Sequence, residues 1–369
     1  MTDRRTFLEA IAGVTSVGAL PGIMRSSPRG SDADLTTVGY VNPRDPEFGA
    51  AGDGMSDDTG AIQAAIDTGH PVYLPSGTYR VHTLRWSGDN RVLRGAGWDT
   101  TLKPWAATRT LIEARNHPHL TIENLRLDCD GIADTAIDVG WDSPGLSAQS
   151  QFRAIHITGT PRRSATAFIA DNNHDSVFEH IVVTGMGTAG LAFRLNGGAG
   201  AAQLSSVLLL DGLLELNVQY ALLNNFVGCG IRIADGGGSN NLLNLNSCYL
   251  YSSRITGAAL AIPPSARCQA IRAAGSMFVL TGTDDVVLDG TVEQAVLCEC
   301  STFELGTAAA VAAFASSRFP GSDPAHPLVR LVGCSLQKGI DFDLNRRDCT
   351  VELSATRLDA PRLPEARKS

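Results

Sequence analysis

The sequence has no apolar run near the ~20 residues a helix needs to cross a bilayer, and positive charge is in the minority. Thirty Lys and Arg stand against 38 Asp and Glu, a formal charge of −8. Gripping nucleic-acid phosphates takes a basic stripe, so that partner class is excluded. A neutral glycan would not respond to this charge; an acidic one would be repelled unless a bound cation or a local basic patch intervened. None of the eight cysteines has C-x-x-C spacing, which removes the common zinc and thioredoxin-like motifs. Twelve Phe against 38 Gly suit slim layers and many turns better than thick helical packing. With 43% apolar residues there is ample material for a core.

The N-terminus reads as an address. Arg4-Arg5-Thr6-Phe7-Leu8 matches a twin-arginine export core, an apolar stretch runs from Ile11 to Leu20, and Val17-Gly18-Ala19 offers small residues for cleavage. The expected division is a signal peptide over 1–19, a linker over 20–38, one domain over 39–360 and a tail over 361–369. The mature protein is expected to be secreted or held in the cell envelope, without a membrane segment.

Residues 45–54 form a glycine-rich loop leading into a short amphipathic helix. Ser56, Asp57 and Asp58 are its N-cap candidates, Ile62, Ala65 and Ile66 share a face, and Gly69 stops it. Val72-Tyr73-Leu74, Thr78-Tyr79-Arg80-Val81 and Arg91-Val92-Leu93-Arg94 then read as strands. Strand-like runs recur downstream. In the C-terminal half a four-residue pattern repeats: Ser247-Cys248-Tyr249-Leu250, Gly275-Ser276-Met277-Phe278, Cys300-Ser301-Thr302-Phe303 and Gly333-Cys334-Ser335-Leu336. Spacings of about 25–33 residues suit the coils of a solenoid. Cysteines at matched places point to reduced, structural thiols in an internal stack.

The run from Asp45 to Asp67, with Val72-Tyr73-Leu74-Pro75, Gly77-Thr78-Tyr79-Arg80-Val81 and Leu93-Arg94-Gly95-Ala96-Gly97, resembles the opening of pectate-lyase superfamily proteins. That group includes polygalacturonase-related proteins and tailspike-like depolymerases. The resemblance covers about residues 45–102. It implies an all-β fold, a right-handed single-stranded parallel β-helix whose open N-terminal end is closed by the short helix. It also implies an extended polysaccharide as partner, acted on by hydrolysis with two carboxylates or by β-elimination at a uronic acid, the latter often with Ca²⁺. No other cofactor and no dedicated metal site is expected. Tailspike relatives form trimers; this chain carries no legible trimerisation signal, so oligomeric state stays open.

The family's catalytic motifs do not carry over. G-H-G and R-I-K are missing (Arg232-Ile233 is followed by Ala234), and W-x-D-H has no counterpart. The richest polar cluster therefore takes the expectation: Asp171 and Asp175 as an acid/base pair, with His174 positioning one of them. Asn172, Asn173, Glu179 and His180, together with Asp128 and Asp130, are expected to bind substrate along coils between about residues 120 and 260. Asp284-Asp285 reads as a turn. Gly185-Met186-Gly187-Thr188-Ala189-Gly190, followed by Asp211, imitates a dinucleotide fingerprint. The glycines after it oppose the helix that motif needs, so it is read as a turn between coils. The leading function is a polysaccharide hydrolase or lyase. The alternatives are a non-catalytic glycan-binding or structural β-helix, and a transferase or epimerase on the same scaffold.

Overall fold

The computed structural model describes residues 39–143, 148–159, 165–186, 190–197, 200–210, 212–234, 241–253, 255–282, 285–306, 311–312, 329–337, 340–341 and 351–358. The signal segment 1–19, the linker 20–38, the tail 361–369, Asp211, Asp284 and Cys349 lie outside them. The chain winds as a right-handed parallel β-helix, as the sequence leads one to expect. Each coil gives one eight-residue strand or two short strands to a 22-stranded parallel sheet, and most give a further strand to a nine-stranded parallel sheet. Strands in successive coils pair in register, for example Phe152 with Phe178 and Phe168 with Phe193.

One backbone bend organises the stack. Asn124, Ala154, His180, Ser206, Asn225, Ser247, Gly275, Cys300, Gly333 and Ala355 all have φ between +47° and +63°, one residue in each successive coil. This left-handed corner turns the first strand of the coil into the second. The repeating four-residue pattern of the C-terminal half begins at this corner. Its second residue points inward: Cys248, Ser276, Ser301 and Cys334 are buried. There the side chains hold the backbone between coils. Ser276 Oγ accepts from the Cys248 amide at 3.1 Å, Ser301 Oγ from the Ser276 amide at 3.3 Å, and Cys334 Sγ donates to the Cys298 carbonyl at 3.2 Å. The described cysteines are all free thiols, and all but Cys300 are buried. Burial pushes the Cys129 and Cys268 thiols up to about 12 and Cys248 to about 11.

Between the sheets the core is one apolar column. Phe152 stacks on Phe178, and Phe168 on Phe193, at 5.2 and 4.7 Å; the two stacks meet edge to face. The helix Thr59–Asp67 covers the first coil with Ile62, Ala65 and Ile66, the face its pattern predicts. Of the N-cap candidates Asp58 stands at the cap, but its carboxylate makes no capping bond. It instead accepts from the amides of Ala51 and Gly52 at 2.6 and 3.1 Å, which ties the glycine-rich loop down.

The segment Leu191–Asn196 is a strand. Gly185–Gly190 therefore has no helix to present to a pyrophosphate. Asp285 serves a turn, its Oδ2 accepting from Ser252 Oγ at 2.5 Å and the Gly282 amide at 2.7 Å.

Candidate functional site

The expected site residues fall in three places. Asp171 follows the nine-stranded sheet strand Thr166–Ile169, and its carboxylate accepts from Arg194 Nε at 2.9 Å, Arg194 Nη2 at 2.5 Å and the Asn196 amide at 3.2 Å. The pair belongs to a series on that sheet's outer side, with Arg85–Glu113, Arg115–Asp138 and Arg232–Glu215. Asn172 and Asn173 hold the corner together: Asn172 Nδ2 donates to the Trp141 carbonyl, Asn173 Nδ2 to the Val139 carbonyl, and Ser176 Oγ to Asn173 Oδ1. His174 is buried with neither ring nitrogen hydrogen-bonded, and burial holds it below its usual pKa. Asp175 is exposed at a left-handed residue, φ +57°.

Glu179 and His180 lie instead on the first-strand face of the large sheet. Glu179 pairs with Arg153 at 3.3 Å, and His180 occupies the left-handed corner. Asp128 and Asp130 stand on a third surface, where the second strands of early coils end. That surface carries several partly exposed titratable groups.

Here Lys103 Nζ lies 2.9 Å from Asp128 Oδ2 and 3.6 Å from Asp130 Oδ1, and Arg80 reaches Asp130 at 3.9 Å. The Asp128 hydrogen bond holds the Lys103 ammonium above its usual range, against partial burial. Burial pushes Asp128 up, but Lys103, the Asp130 amide and Thr158 outweigh it and leave its pKa below the ordinary value. Two residues back along the strands, Arg126 stands beside His156 in the next coil. The His156 Nε2 is 3.4 Å from Thr184 Oγ1, its ring lies 5.0 Å from the Trp98 ring, and its Nδ1 is buried without a partner. Desolvation, and then the Arg126 charge, lower His156 to about 4. Trp98 is fixed by donating to the Ala154 carbonyl at 3.0 Å.

This surface thus sets a neutral imidazole and a half-buried indole beside three cations, Arg80, Lys103 and Arg126, and two carboxylates. It is a local basic patch on an acidic chain. Sequence reading named Asp128 and Asp130 on this surface and did not name Lys103, Arg126, His156 and Trp98. The available signal was the recurring strand ending Ile157-Thr158-Gly159 and Val183-Thr184-Gly185, whose preceding outward positions include His156. Gly159 and Gly185 both take positive φ there, and a Cβ at Gly159 would stand 2.9 Å from Asp128 Oδ1.

Residues 45–225 match the family model described as Rhamnogalacturonase A/epimerase, pectate lyase-like. Over 40 residues the chain is 65% identical to mannuronan C5-epimerase AlgE1 of Azotobacter vinelandii, and equally to alginate lyase 7 of the same organism. Those stretches are 10% of this chain and only 3% and 5% of the relatives, so the chain spans a small part of their length. The N-terminal fragment of bacteriophage Phi29 gene product 12 shares the fold, with a TM-score of 0.53 at 14% identity over 95% of this chain and 69% of that one. The fold is a parallel β-helix, and the family-model match lies over its N-terminal half.

Proposed function

We propose that the chain acts on a polyuronate by removing the proton from the carbon beside the carboxylate, as a lyase or an epimerase. The observation that carries this reading is His156, a neutral imidazole between Arg126 and Thr184 beside the Lys103–Asp128 pair. A base for this step must be unprotonated at working pH and close to cations that take up the developing negative charge. In the proposed step His156 Nε2 accepts the C5 proton while Lys103 and Arg126 bind the carboxylate. The electron pair then either forms the C4–C5 double bond as the C4–O4 bond breaks and the leaving oxygen gains a proton, or takes a proton back on the opposite face. The names of the epimerase and lyase relatives support this class.

Among the described residues no group of three His, Cys, Asp or Glu side chains stands ready to hold a cation. In this reading Lys103 and Arg126 neutralise the substrate carboxylate. Hydrolysis fits less well, because Asp128 and Asp130 are both turned onto Lys103. Export along the twin-arginine route belongs to the same proposal, since such polymers lie outside the cytoplasm.

The test is incubation with mannuronan and polygalacturonate in D₂O, followed by NMR. Inverted residues carrying deuterium at C5 (epimerase) or unsaturated ends (lyase) are expected from the wild type and should vanish in His156→Gln. New reducing ends without either signature would overturn the reading.

A further inference from the structure

The charged cluster occupies only one end of the second-strand face. From His156 the register continues through Val182, Leu208, Val227 and Tyr249, one residue per coil. All four are partly exposed, and none is charged. Outward positions of a solvent-facing sheet are ordinarily polar, so a row of apolar side chains along the axis is an exception. Across the left-handed corner, on the first-strand face, Asn246 Nδ2 donates to Asn224 Oδ1 at 3.0 Å.

We infer that this row is an extended glycan track, and that Tyr249 is a remote stacking subsite for a sugar of the same chain whose reacting residue sits at His156. The inference rests on the proposed reading for the position of the reacting sugar. Sugar rings present a C–H face that packs on apolar and aromatic side chains, while their rim hydroxyls seek amides. The row offers the first, and the Asn224–Asn246 pair stands across the corner from it. Four coil steps separate His156 from Tyr249, about 19 Å at the usual strand spacing. A sugar residue is about as long as one coil step, so a chain of roughly five residues bridges the two. Having no charge, the track adds affinity that salt does not screen, unlike the cationic end.

The experiment compares wild type, Tyr249→Ala and Tyr249→Phe on mannuronan trimers and on the full polymer. Turnover is read alongside retardation in gels containing the polymer. Stacking of this kind predicts about a three- to tenfold weaker grip on polymer in Tyr249→Ala, no change on trimers, and recovery in Tyr249→Phe. Equal effects on both lengths, or none, would overturn the track. So would sedimentation showing a wild-type oligomer that Tyr249→Ala dissolves, because that would assign the row to a second copy of the chain. Polymer retardation that depends on Tyr249 without any turnover would uphold the track and remove the catalytic reading alone.

Discussion

Lys103 Nζ and Asp128 Oδ2 stand 2.9 Å apart on successive coils, each side chain about three-quarters buried. The carboxylate fixes an ammonium that would otherwise rotate freely, on the surface that also carries His156. Lys103→Met is expected to lower kcat on a polyuronate by about 100-fold or more, the usual cost of removing one charge-stabilising group. Asp128→Asn keeps the cation but loosens it, so a smaller fall in kcat with little change in KM should appear in steady-state kinetics.

Asp171 makes the opposite case. Its oxygens are occupied by Arg194 and the Asn196 amide. Asp171→Asn should therefore cost about 1–3 kcal/mol of stability, seen in chemical denaturation, while folded protein keeps its turnover. Loss of turnover in folded Asp171→Asn and Asp175→Asn would return the chemistry to the corner at residues 171–175.

Acid should act on two buried imidazoles. His156 and His174 both have folded pKa values below the unfolded value near 6.5, His156 at about 4. Unfolded chains then bind more protons than folded ones below pH 6.5. Their contribution is complete above 6.5 and is lost as pH falls towards 4. Melting temperature measured across that window should decline less steeply in His156→Gln. Turnover that uses neutral His156 should persist below pH 6.5, with its acid limb near 4 in kcat/KM.

Thiol chemistry separates corner from core. Cys300 is exposed, whereas Cys129, Cys248 and Cys268 are buried with raised pKa values. In a Cys349→Ser background, a thiol reagent at neutral pH should label one cysteine quickly and the others only on unfolding. Mass spectrometry of the labelled peptides checks this.

The fold was legible because its determinants are local. The loop at 45–54, the helix face Ile62–Ala65–Ile66 and the repeated pattern beginning at Ser247 each follow from a backbone need visible within a few residues. The site was not, because its members lie about 25 residues apart and meet only by stacking. Lys103, Asp128 and His156 come from three coils, and outward strand positions look alike until register is known. The polar run at 171–175 drew attention by density. There Asp171, Asn172 and Asn173 bond Arg194, Trp141 and Val139, work that asparagine and aspartate commonly do in turns.

The left-handed corner also bears on descent. Since each coil closes on the same bend, an in-frame duplication or loss of one coil between His156 and Tyr249 spares the register on either side. Such an event would separate or approach the two residues by a single monosaccharide and leave Lys103, Asp128 and His156 together. On the proposed track, preference for polymer length would then be inherited as a whole number, adjustable by copying a segment rather than by redesigning a pocket.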